Sequence, residues 1–166
     1  MNIEGFKKRL TENLQEIMSE LDHHEVTGVA LCSDESARSI TFAFNTKEHL
    51  LDCHREDPDE DLEYYRWYPA EWFKDSYRNE NLNILSNDLF NRDYSKNTKY
   101  EIFNAVVGIL SQSKEIKSLA CKTEEFVCVF HVSDSEDLES QFTWIERLNS
   151  KELYAEYTQW MKTLDI

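Results

Sequence analysis

The chain has 166 residues, and 33 Asp and Glu against 18 Lys and Arg give a net charge of −15. That excess argues against a phosphate-backbone binder, which needs clustered cations, and against docking on an anionic membrane. With 40% apolar residues and 13% aromatics the chain can still build one domain around its own core, so the charge does not signal disorder.

The opening residues, Met1 to Leu10, carry no apolar h-region, and no apolar run approaches the roughly 18 residues of a spanning helix. The sequence therefore reads as cytoplasmic, with Cys32, Cys53, Cys121 and Cys128 expected as reduced thiols. Ile3, Phe6, Leu10, Leu14, Ile17 and Leu21 recur at spacings of three and four, which predicts an amphipathic helix over 2–22. Asp22, His23 and His24 end it. Val26, Val29, Ala30 and Leu31 predict a strand over 26–32, with Gly28 at a bulge or a close backbone approach. After a turn at Ser33–Ser36, Ile40, Phe42 and Phe44 alternate with Thr41, Ala43 and Asn45. This predicts a second strand over 38–45, in a hairpin with the first. Thr46 is placed to cap a short helix through His54, with Glu48 and His49 in its first turn.

Residues 52–73 are the most distinctive stretch. Asp52, Glu56, Asp57, Asp59, Glu60, Asp61 and Glu63 face one cation, Arg55, and Tyr64, Tyr65, Trp67, Tyr68, Trp72 and Phe73 follow at once. Glu63–Tyr68 can be extended, and in a strand Tyr64, Arg66 and Tyr68 would share one face and Tyr65 and Trp67 the other. Pro69 then ends pairing or begins a helical turn holding Glu71 and Trp72. Two readings stand side by side. The acidic run is a solvated face and the rings are core. Alternatively, Asp57, Asp59, Glu60, Asp61 and Glu63 steer a cationic protein, and Tyr64, Tyr65, Trp67, Tyr68, Glu71 and Trp72 anchor it.

Leu82, Leu85, Leu89 and Phe90 predict a further helix, and Tyr100, Phe103, Val106, Val107 and Leu110 another. Over 125–132 both alternating sets are apolar, which predicts an inner strand covered on each face. Ser133–Glu136 is a turn or cap. Phe142, Ile145 and Leu148 predict a helix, and Leu153, Tyr157, Trp160, Met161 and Leu164 a terminal one. The sum is a single α+β domain over 1–166, with a small, mostly antiparallel sheet covered by amphipathic helices. A second acidic region holds Glu124, Glu125, Asp134, Glu136, Asp137 and Glu139 with no Lys or Arg among them. If the fold joins it to the first, the two make one negative face.

Motifs for chemistry are missing. Gly5, Gly28 and Gly108 stand alone, so no phosphate cradle is read, and no G-x-S-x-G elbow occurs. Cys53-His54 and Cys128-x-x-His131 offer soft ligands, with His23, His24 and His49 elsewhere. There is no C-x-x-C and no H-E-x-x-H, and Cys128 and His131 point to opposite faces of a strand. The sequence is read as a non-enzyme without metal or cofactor.

F-A-F-N-T at 42–46, Y-Y-R-W-Y-P-A-E-W at 64–72, V-S-D at 132–134 and Leu148-Asn149 resemble, in this order, the bacterial domain-of-unknown-function family numbered 4303. The resemblance spans nearly the whole chain, and Y-P-x-E-W at 68–72 is its most specific piece. It implies an α+β domain like those found among candidate immunity proteins of contact-dependent toxin systems, alongside the SUKH-type immunity fold. It transfers no catalytic residue, and it leaves Tyr68, Glu71 and Trp72 open as a structural signature instead of a site. The expected partner is thus a cationic protein toxin, such as a nuclease, and the alternative is an adaptor or regulatory domain with another protein partner. Nucleic acid and membrane are not expected partners.

Overall fold

The computed structural model describes residues 2–21, 25–77, 79–91 and 96–164. Along them run helix α1 (Ile3–Glu20), strands β1 (Val26–Asp34) and β2 (Thr41–Thr46), and helices α2 (Lys47–Glu56), α3 (Leu62–Trp67), α4 (Asn79–Phe90), α5 (Lys96–Gln112) and α6 (Lys114–Ala120). Strand β3 (Val127–Ser133) and helices α7 (Leu138–Leu148) and α8 (Lys151–Met161) follow. Asn2 starts α1 by accepting a hydrogen bond from Gly5 N at 2.8 Å, and the helix buries Phe6, Leu10, Leu14 and Ile17 as its spacing predicts. Asp22, His23 and His24 lie outside the described residues.

The fold is α+β, and its sheet has the order β2-β1-β3. β1 pairs with β2 antiparallel and with β3 parallel, so the sheet is mixed where a mostly antiparallel one is expected. Connection length explains the difference. β2 returns through a short turn, in which the Asp34 carboxylate accepts from Ser36 N and Ser39 Oγ at 2.7 and 2.6 Å. β3 arrives only after five helices, the kind of long crossover that a parallel neighbour requires.

Alternation along the strands divides the core in two. Val29, Leu31, Phe42, Phe44, Cys128, Phe130 and Val132 point to one face, which α1, α4 and α5 cover. Ala30, Ala43, Val127 and Val129 point to the other, under Trp67, Trp72, Tyr157 and Trp160. Small residues on this second face make room for the large rings. Gly28 carries this furthest: a Cβ there would meet Trp72 Cη2 at 3.0 Å and Val127 Cγ2 at 3.1 Å. The register of β1 on β2 also shifts between Val26 and Gly28, so the glycine serves both expected purposes.

Both sheet edges are occupied. On the β2 side, Phe44 N and O bond Lys74 O and N at 2.9 and 3.1 Å, and Tyr77 N bonds Phe42 O at 2.9 Å. On the β3 side, the Asn149 side chain mimics a strand, accepting from Cys128 N and donating to Cys128 O, each at 2.8 Å. α7 lies between the two layers there, with Trp144 in the first cluster and Ile145 in the second. β3 is thus covered on both faces as expected, but by hydrogen bonding it is an edge strand and not an inner one.

The extended reading of Glu63–Tyr68 is corrected: the segment is α3 and its C-cap. A strand needs an edge to pair with, and both are taken. Helical spacing instead lets Tyr64 and Tyr68 stack with ring centroids 5.4 Å apart. Pro69 then forces Tyr68 out of the helix, to φ −105° and ψ 99°, and opens the 3-10 turn Pro69–Glu71.

Candidate protein-interaction surface

Asn45 positions the distinctive segment. It is 2% exposed, at the end of β2, and its amide nitrogen donates to Tyr65 O at 3.2 Å. Its Oδ1 accepts from Thr46 N at 3.0 Å and from Phe73 N at 3.3 Å. One buried amide thereby ties α3 and the chain after Trp72 to the sheet. Thr46 Oγ1 accepts from His49 N at 3.3 Å and starts α2 as predicted. Asp57, Asp59, Glu60 and Asp61 lie on the connection from α2 to α3, and Glu63 in the first turn of α3.

The cations of this segment are already committed. Arg55 pairs with Asp52 at 2.7 Å. Arg66 Nη1 donates to both carboxylate oxygens of Glu156 on α8 at 2.7 Å, and Trp67 Nε1 donates to the same group at 3.1 Å. Among the described residues, no Lys or Arg pairs with Asp57, Asp59, Glu60, Asp61 or Glu63. Asp57, Asp59 and Asp61 are exposed, and Glu60 and Glu63 are half-buried.

The aromatic residues divide. Tyr65, Trp67 and Trp72 are 8%, 3% and 4% exposed and offer a partner little surface, and Trp67 and Trp72 hold α3 and the turn onto the second face. Tyr64 is half-buried and donates from its hydroxyl to Glu71 Oε1 at 3.2 Å. Burial, then the Glu71 carboxylate, pushes the Tyr64 phenol up to about 12, which keeps that proton in place. Tyr68 is 37% exposed and meets the His131 ring edge-to-face at 5.5 Å. Burial holds His131 below its usual value against the opposing pull of Asp134. Phe73, which belongs to the aromatic run but not to the expected anchors, is 42% exposed, and Leu51, which no sequence signal marks, is 48% exposed. An exposed ring beside a polar helix leaves no periodic signal.

His49 Nε2 lies 2.9 Å from Glu71 O and 3.3 Å from Cys53 Sγ. Burial, then Glu56, Glu71 and Asp52, raises the Cys53 thiol, so this pair favours a protonated thiol over a nucleophile. Cys128 and His131 sit on opposite faces of β3, as the spacing predicts. Among the described residues no three His, Cys, Asp or Glu converge as metal ligands would, and no helix is long and apolar enough to cross a membrane.

The second acidic region does not form one patch. Glu124 and Glu125 precede β3 and Asp134–Glu139 follow it, and its seven residues separate the two groups by about 20 Å. Asp137 is moreover spent on structure. It caps α7 through Ser140 N at 3.1 Å and accepts from Tyr100 Oη at 2.9 Å. A cleft of about 630 Å³ opens at the far end of α7, by Leu110, Phe126 and Asn149; Glu124 lines it, but none of the candidate residues of the 57–72 segment does.

Comparison with known families places the chain. A family model described as Domain of unknown function (DUF4303) matches residues 6–150. The chain belongs to this family. No match was found among curated proteins or among solved structures. The DUF4303 match takes in the sheet and α1–α7, while α8, which supplies Glu156, Tyr157 and Trp160 to the second face, lies beyond it. Of the residues that carry the resemblance, Asn45, Trp67, Trp72 and Asn149 are internal fasteners of the fold.

Proposed function

We propose that this protein binds a cationic protein stoichiometrically, and that it is a cytoplasmic immunity protein masking a toxin domain such as a nuclease. The observation that supports this reading is the acidic connection from α2 to α3. Its four carboxylates, with Glu63 in the first turn of α3, have no Lys or Arg partner among the described residues, while both nearby arginines are held by other acids. Such a surface attracts a positive partner over a Debye length of about 8–10 Å and speeds encounter. Tyr68, on the same segment, supplies the contact that slows dissociation. The raised Cys53 thiol favours binding over nucleophilic chemistry at the nearest thiol–imidazole pair.

The test is co-expression with the protein encoded by the adjacent gene. Relief of its toxicity and a one-to-one complex that dissociates in high salt are the expected results. Unrelieved toxicity, with no complex even at low salt, would overturn the proposal.

A further inference from the structure

Resting on that reading, we infer that the Tyr64–Tyr68–Glu71 cluster is a seat for an arginine side chain of the partner. Three observations carry it. Tyr64 and Tyr68 stack at 5.4 Å, and 37% of Tyr68 remains open, so part of an aromatic pair is presented to solvent. The Glu71 carboxylate is fixed beside that stack by the Tyr64 hydroxyl at 3.2 Å through one oxygen, which leaves lone pairs on the other to accept. Its backbone is fixed as well: Glu71 N donates to Tyr68 O at 3.1 Å, and Glu71 O meets His49 Nε2 at 2.9 Å. A carboxylate held next to stacked rings matches a planar, delocalised cation with several donors better than a compact ammonium. The same segment already holds one cation on a ring, since Lys74 Nζ lies 4.9 Å from the Phe73 centroid. The neighbouring imidazole, His131, is held towards its neutral form by burial and does not oppose a guanidinium at pH 7. The seat adjoins the unpaired carboxylates, so an approaching basic segment is drawn to it.

The experiment titrates oligo-arginine and oligo-lysine peptides of equal length into the whole protein at low salt, following the His131 and tyrosine ring resonances. Oligo-arginine should bind about 3- to 10-fold tighter. Tyr68→Leu should bring the ratio near one, while Tyr68→Phe, which keeps the ring, should preserve it. Changing Asp57, Asp59, Glu60, Asp61 and Glu63 to Asn and Gln should weaken both peptides alike and leave the ratio. Equal binding of the two peptides, or an arginine preference that survives in a folded Tyr68→Leu variant, would overturn the seat and leave the steering surface standing. Failure of either peptide to bind wild type would count against the parent reading as well.

Discussion

Removing Glu156 tests whether Arg66 and Trp67 serve the fold and not the surface. The carboxylate accepts two bonds from Arg66 Nη1 at 2.7 Å and one from Trp67 Nε1 at 3.1 Å, joining α3 to α8. Charge-assisted bonds are worth about 1.5–3 kcal/mol each, but they are not additive here because two share one nitrogen. The Arg66 side chain is 12% exposed and that of Glu156 30%, so water replaces part of what is lost. Arg66 Nε is buried without a partner already, and Glu156→Ala leaves its guanidinium more poorly satisfied still. The expected cost is about 2–3 kcal/mol, which lowers Tm by about 4–12 °C in a chain of this size. Urea unfolding followed by tryptophan fluorescence should show a lower midpoint at an unchanged slope. Glu156→Gln keeps an acceptor for Trp67 and should cost less. A loss below about 0.5 kcal/mol for Glu156→Ala would refute the reasoning, because it would place the pair among ordinary surface ion pairs.

Other substitutions examine the rest of the frame. Gly28→Val brings side-chain atoms against Trp72 and Val127, where even a Cβ meets 3.0 and 3.1 Å contacts, and should cost about 1–3 kcal/mol in chemical denaturation. Asn149→Leu strips Cys128 N and O of their partner at the β3 edge and should cost about 2–3 kcal/mol, with faster amide exchange at Cys128. The Asp137 carboxyl is held below its ordinary 3.8, chiefly by the Ser140 side chain and backbone. Its stabilisation is present above that value and is lost as pH falls through the lower folded one, so Asp137→Ala should flatten the acid limb of the stability profile. His131, lowered by burial, acts at higher pH: as pH drops below its ordinary 6.5, the unfolded ring takes up the proton first and stability falls. His131→Gln should remove that dip.

Periodicity made much of this architecture legible. The stripe from Phe6 to Ile17, the alternation at Phe42–Phe44 and the two apolar faces of β3 each recur in the structure as read. Thr46 and Gly28 were legible because a cap and a strand glycine have local physical causes. The failures come from information held at a distance. Tyr64–Tyr68 has strand-forming rings, yet pairing depends on a free edge, and Lys74–Tyr77 and Asn149 had closed both. The parallel placement of β3 was likewise not legible, because a long connection permits either direction of pairing and the partner strand lies about 100 residues earlier. In the site, the exposure of Asp57, Asp59 and Asp61 follows from charge, whereas the burial of Trp67 and Trp72 follows from small residues on strands far along the chain. Glu156, which removes Arg66 from the surface charge, lies 90 residues away, and no motif marks it.

Steering of a cationic partner by Asp57, Asp59, Glu60, Asp61 and Glu63 is the central proposal. Stopped-flow association of that partner with wild type and with the Asn and Gln variant, across a range of salt, tests it directly. At low salt the variant should associate at least about 10-fold more slowly, with a flatter salt dependence and a dissociation rate changed much less. Equal association rates and equal salt slopes, in a variant that folds normally, would show the acidic run to be a solvated face and would contradict the claim.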